Sequence, residues 1–89
     1  MNSVTTERFR RLYAAASAQR QAQIKRAYQL WHENSAHPSI RFKKVHDTEP
    51  IYSAGVDLDR RALGVQKGAT VVWFWVGPHD EYTALLKRM

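Results

Sequence analysis

The sequence predicts an α+β fold: an N-terminal helical hairpin packed on a small, mainly antiparallel twisted sheet, closed by a short C-terminal helix. Three observations carry this reading. Apolar residues recur with a period near 3.6 before Pro38 and a period near 2 after it. A last apolar run, "VVWFWV", leads through Gly77-Pro78 into the helical pattern "HDEYTALLKR". The 89 residues suffice for one modest core and one domain, 1–89, without room for a second.

The elements follow in order. Thr6 can cap a helix starting at Glu7, with Phe9, Leu12, Tyr13 and Ala16 on one face. Ser17 breaks that helix and can cap another. In the second helix Ile24, Ala27, Tyr28 and Trp31 fall at i, i+3, i+4 and i+7, one apolar stripe, while Arg20, Lys25, Arg26, Gln29 and His32 cover the remaining surface. Pro38 follows its end. The join between the helices admits only a hairpin.

Beyond Pro38 the pattern predicts strands over Ile40–Val45, Ile51–Leu58, Arg60–Gln66 and Ala69–Val76. Lys67-Gly68 reads as a two-residue turn, which would set Arg61 opposite Phe74. The last strand is apolar on both faces, as expected of a central, doubly covered strand, and Gly77-Pro78 should end it.

Composition narrows the function. Cysteine is absent, which excludes a disulfide framework and a thiolate metal site and fits a reducing cytoplasm. No apolar run approaches the roughly 20 residues of a membrane span, and "MNSVTTERFRR" lacks a signal-peptide core, so a cytoplasmic domain without a membrane partner is expected. His32, His37, His46 and His79 lack paired ligand spacing, and no phosphate-binding loop, dinucleotide fingerprint or nucleophile elbow occurs; neither metal nor cofactor is expected. Charge is uneven. Residues 1–45 hold nine Lys/Arg against two Asp/Glu, a balance of +7, and residues 46–89 hold five against six, or −1. Such asymmetry suits an anionic partner, nucleic acid foremost, or else a solubilising helix surface.

The chemistry gathers after the last strand. His79 leaves it at the sheet end where Arg60 and Arg61 begin theirs, and Arg41, Lys43 and Lys44 in "RFKK" belong to the same sheet. Metal-free RNA cleavage needs a base for the ribose 2′-OH, a cation for the phosphorane and an acid for the leaving 5′-oxygen. Histidine serves as base or acid, arginine offers a rigid fork to phosphate, and tyrosine (here Tyr82) offers a stacking face. Plainer readings stand beside these. On sequence alone a histidine such as His79 is more often a helix-terminus or surface residue, Tyr82 by default packs its ring on the sheet, "RFKK" is usually a solvated edge strand, and Trp73 and Trp75 are core before they are a stacking platform.

The string "HPSIRFKKVHDTEPIYSAGVDLDRRALGVQKGATVVWFWVGPHDEYTALL", with its Tyr-Ser strand, Arg-Ala-Leu-Gly strand, "WFW" and His-x-x-Tyr, resembles the RelE/ParE superfamily of bacterial type II toxins. The similarity runs from Thr5 to about Leu86. It implies a toxin neutralised by a cognate antitoxin. RelE-like members cleave mRNA in the ribosomal A site, whereas ParE-like members poison DNA gyrase and lack the RNase residues. The resemblance implies catalytic roles for Arg61 at the scissile phosphate, His79 and Tyr82, and RNA contacts from Lys43 and Lys44; Arg41 and Arg60 join them as nucleic-acid-binding candidates, Arg60 as a substitute for the cation missing at Gly55. The chain departs from the pattern at Gly55, where relatives usually carry arginine or lysine, at Arg60, where an aromatic is common, and at the N-terminus, where a strand is reduced to at most "NSVTT". The expectation is a ribosome-dependent mRNA endonuclease. The alternatives are a non-enzymatic gyrase inhibitor and a degenerate member that binds its antitoxin without toxicity.

Overall fold

A computed structural model describes residues 2–89. The elements are β1 (Asn2–Thr5), α1 (Glu7–Ala15), α2 (Ala18–Glu33), β2 (Lys43–Lys44), β3 (Ile51–Gly55), β4 (Arg60–Lys67), β5 (Thr70–Pro78) and α3 (His79–Arg88). Both N-terminal helices start where capping chemistry puts them. Thr6 Oγ1 accepts the Phe9 N–H at 3.1 Å and Ser17 Oγ accepts the Arg20 N–H at 3.2 Å. Each such cap contributes about 1 kcal/mol.

The sheet order is β1-β5-β4-β3-β2. β1 pairs parallel with β5 and the other three pairings are antiparallel. The first four residues of "NSVTT" thus do form a strand, and the helical hairpin carries the chain from one sheet edge to the other. The hydroxyls of Ser3 and Tyr28 hydrogen-bond, tying β1 to α2.

Register is where the sequence reading needs correction. The turn is Gly68-Ala69 rather than Lys67-Gly68, because Lys67 already pairs with Thr70 and Gly68 takes φ 60°. Gly64 then faces Trp73 and Leu63 faces Trp75, which leaves Phe74 as a β-bulge residue with no partner. Turn and bulge together place Arg61 opposite Gly77, not Phe74. β5 also does not stop at Val76; Gly77 and Pro78 pair with Arg61 and Arg60.

The bulge decides the packing. Strand side chains alternate between faces, so one extra residue reverses which face the following residues serve. Trp73 packs with Phe9, Ile24, Trp31, Val71 and Val76 under the helical hairpin. Trp75 packs instead with Ile51, Leu63 and Tyr82 under α3. The two tryptophans anchor two separate core layers on opposite sides of one sheet.

Two predicted strands are shorter than expected. Ile40–Val45 contracts to Lys43–Lys44 because Arg41 adopts φ 50°, a left-handed conformation that no extended run accommodates. Ile51–Leu58 ends at Gly55, where the chain turns through residues 56–59; Val56 N–H donates to the Arg60 carbonyl at 3.0 Å and Asp59 N–H to Asp57 Oδ1 at 2.7 Å. No helix among the described residues is long and apolar enough to cross a membrane.

Gly77 is required by the neighbouring indole rather than by a chain stop. A Cβ there would sit 2.7 Å from Cζ2 of Trp75. Gly77→Ala is therefore expected to cost about 1–3 kcal/mol through overpacking, a drop of roughly 5–15 °C in melting midpoint for a chain of this size. An unchanged midpoint in a calorimetric scan would mean that Trp75 does not lie over Gly77.

Candidate functional site

Arg61 occupies the second position of β4, between Gly55 on β3 and Gly77 on β5. Neither neighbour carries a side chain, so the guanidinium lies down along the sheet. Its Nε donates to Ser53 Oγ at 2.9 Å, and its Cζ sits 5.4 Å from the ring centroid of Tyr82. Arg61 is only 8 % exposed, Ser53 is fully buried, and Nη2 is buried with no hydrogen-bond partner. Arg11–Glu7 is the only ion pair among the described residues, so no carboxylate neutralises Arg61. A guanidinium stays charged at any physiological pH, and leaving it buried and uncompensated costs several kcal/mol. The cation–π contact with Tyr82 offsets part of this, about 2 kcal/mol when desolvated. What remains favours an arriving anion.

His79 is the first residue of α3. Its N–H donates to the Asp59 carbonyl at 2.7 Å, which fixes the helix start to the β3–β4 loop. The imidazole is exposed and meets Tyr82 edge-on at 5.5 Å, while Nδ1 lies 3.5 Å from Thr83 Oγ1. Tyr82 is 7 % exposed, its ring held between Arg61 and His79. That burial makes it a support for the two neighbours and leaves little ring face for a base to stack on.

Arg61 and His79 open onto a cleft of ≈ 680 Å³ between α2, the 38–41 segment and the β3–β4 loop. Its volume falls within the range of ligand sites. Of the other predicted residues, Arg41 lines the cleft, while Arg60, Lys43 and Lys44 do not. Arg60 faces away from Arg61 by strand alternation, with its Nε buried and unpartnered. Lys43 pairs with Ser53 and so shares the Arg61 face of the sheet; Lys44 pairs with Tyr52 and points to the other. Both lysines are exposed on the edge strand.

The sequence reading passed over the α2 wall. Gln23, Arg26, Ala27 and Leu30 line the cleft at i, i+3, i+4 and i+7, a stripe beside the apolar one that contains Ile24 and Trp31. That spacing was the available signal. Asp57 is the one acidic residue lining the cleft, against Arg26, Arg41 and Arg61. No group of three or more His, Asp or Glu among the described residues is placed to hold a metal ion.

Space around Gly55 is limited. A Cβ built on it would lie 3.2 Å from the Ile40 carbonyl oxygen and 3.6 Å from Nη1 of Arg61. The position leaves space for the Arg61 guanidinium and little for a second long cation.

No family model and no curated protein sequence matches the chain. Solved structures do. YafQ from E. coli strain BL21(DE3) superposes with a TM-score of 0.71 at 10 % identity over 91 % of this chain and 96 % of that one. The RelB-RelE antitoxin-toxin complex from Methanococcus jannaschii gives 0.71 at 11 % identity, covering 92 % and 96 %. A YoeB/ParE toxin from Agrobacterium tumefaciens gives 0.69 at 12 % identity, covering 89 % and 99 %. The chain has the fold of RelE/ParE-type toxins across nearly its whole length.

The unpaired guanidinium makes a direct expectation. Inorganic phosphate at ten times its dissociation constant should stabilise the protein by about 1.4 kcal/mol, raising the melting midpoint by roughly 5–10 °C over chloride of equal ionic strength. Arg61→Met, which keeps the apolar stem, should abolish the increment. Equal phosphate gains in both proteins would place the anion elsewhere.

Proposed function

We propose that this chain is the toxin of a type II toxin–antitoxin pair and that it cuts mRNA on the ribosome as a metal-independent endoribonuclease. The observation that carries the reading is the buried, unpaired guanidinium of Arg61 at the floor of a cleft that it shares with the imidazole of His79. In the reaction the ribose 2′-oxygen attacks the adjacent phosphorus and the bond from phosphorus to the 5′-oxygen breaks. The products are a 2′,3′-cyclic phosphate and a 5′-hydroxyl. Arg61 stabilises charge growing on the non-bridging oxygens, an interaction stronger in the phosphorane than in the ground state. Ser53 and Tyr82 hold the guanidinium so that little reorganisation is required. His79 moves one proton, either from the 2′-oxygen or to the 5′-oxygen.

Ribosome dependence follows from what the site lacks. One imidazole provides one of the two proton transfers, and an open cleft holds a floppy strand loosely. The ribosome supplies a pre-ordered strand, which is worth a large fraction of the barrier. The antitoxin reading draws on the RelB-RelE neighbour, which is an antitoxin-toxin complex, and on the +6 charge of this chain. An acidic, amphipathic segment from a partner suits such a surface.

Two variants test the proposal in a reconstituted translation reaction with mapped mRNA ends. His79→Ala should slow cleavage by ~10²–10⁴-fold while changing stability by less than ~1 kcal/mol, since the ring is exposed. Cleavage at the wild-type rate would remove His79 from the mechanism, and intact mRNA alongside gyrase-dependent DNA breaks would replace the RNase reading with gyrase inhibition.

Gly55→Arg should lower cleavage, although it restores the residue usual among relatives. The added cation would crowd the Ile40 carbonyl and lie against the guanidinium of Arg61. A loss of about tenfold corresponds to ~1.4 kcal/mol in the transition state. A faster enzyme would show that charge, not space, limits the site.

A further inference from the structure

Among the described non-glycine residues, Arg41 alone has a positive φ, at 50°. Its neighbours hold it there. Ile40 is 2 % exposed, its N–H donates to the His37 carbonyl at 3.1 Å, and its own carbonyl accepts the Gly55 N–H at 2.5 Å. On the other side the Phe42 ring stacks on Tyr52 at 4.9 Å and meets Trp31 at 5.6 Å. With both flanks anchored inward, the backbone at Arg41 cannot relax to an ordinary conformation, and its exposed side chain belongs to the cleft wall. A left-handed arginine is unfavourable by itself and persists only where the surroundings over-determine it; such positions concentrate at ligand clamps.

Across the same cleft α2 contributes Arg26, also exposed and without an acidic partner among the described residues. The cleft therefore carries cations at two places: Arg61 at the floor beside His79, and Arg26 with Arg41 on the walls. At ≈ 680 Å³ it is far larger than one phosphate needs. Arginine forks suit the oxygens of successive phosphates along a single strand.

We infer that Arg26 and Arg41 form a second phosphate subsite, which holds the phosphodiester next to the one on Arg61. The ligand is then a single strand with at least two consecutive phosphates, and once such a strand is presented the flanking contact sets the register of its scissile linkage against His79. This inference rests on the reading of Arg61 as the scissile-phosphate ligand. It assigns to Arg26, which no motif marked, the role of a substrate-positioning residue.

Binding of two probes separates the subsite from that reading: inorganic phosphate, and a 2′-deoxy trinucleotide that cannot be cleaved. Wild-type protein should bind the trinucleotide at least tenfold more tightly than phosphate. Arg41→Gly and Arg26→Ala should each lose about tenfold in trinucleotide affinity and nothing in phosphate affinity. Arg61→Met should weaken both. The trinucleotide salt dependence should also fall by about 0.7 in logarithmic slope per removed cation. Arg41→Gly has a further signature: glycine accepts the left-handed backbone, so its melting midpoint should hold or rise while affinity falls. Unchanged trinucleotide binding in both wall variants, with phosphate still bound through Arg61, would overturn the second subsite alone. Phosphate affinity undiminished in Arg61→Met would overturn the Arg61 reading beneath it.

Discussion

The buried charge of Arg61 is the constraint around which the functional end of this molecule is arranged. A guanidinium that is 8 % exposed, with no carboxylate beside it and Nη2 unpartnered, opposes folding. Its surroundings are consequently specific. Gly55 and Gly77 flank it without side chains, Ser53 accepts its Nε hydrogen, and its Cζ lies over the Tyr82 ring. None of these neighbours is anionic. They fix the position of the charge without neutralising it, the condition under which a cation acts most strongly on an incoming phosphate.

That arrangement depends in turn on the bulge at Phe74. Without the extra residue, Trp75 would share the hairpin face with Trp73 and α3 would lose the indole on which Tyr82 packs. The bulge sends one tryptophan to each face and brings Gly77 opposite Arg61. One backbone irregularity in the most apolar strand thus links the two core layers to the position of the charged site. Bulges are common beside functional sites for this reason: they re-aim side chains that strict alternation would misplace.

The helices were fully legible in the sequence because their signals are local. Thr6 and Ser17 act as caps, and the Phe9 and Ile24 stripes lie on the buried faces. The antiparallel sheet and its meeting of Arg60, Arg61 and His79 at one end were legible too, since strand order and direction follow from the turns. Register was not. Glycine at 68 announces a turn without saying whether it is the first or second central residue, and nothing in "VVWFWV" marks Phe74 as unpaired. The short β2 escaped because Arg41 is left-handed through tertiary anchoring, not through residue type. In the site, Arg61, His79 and Arg41 are brought together as their pattern suggested, while Lys43, Lys44 and Arg60 lie outside the cleft. Arg26 and Gln23 were invisible as cleft residues because a helix has several faces, and which one meets the sheet end is a property of packing.

The claim on which the account rests is that Arg61 takes the scissile phosphate. A crystal structure of the protein with a short 2′-O-methyl RNA, which binds without being cut, tests it most directly. The account predicts a phosphate oxygen within about 3 Å of a nitrogen of the Arg61 guanidinium, with the His79 imidazole within hydrogen-bond reach of the 2′- or 5′-oxygen of that linkage. A bound strand whose phosphates make no contact with the Arg61 guanidinium, or that lies along β1 or the outer face of the helical hairpin, would contradict it.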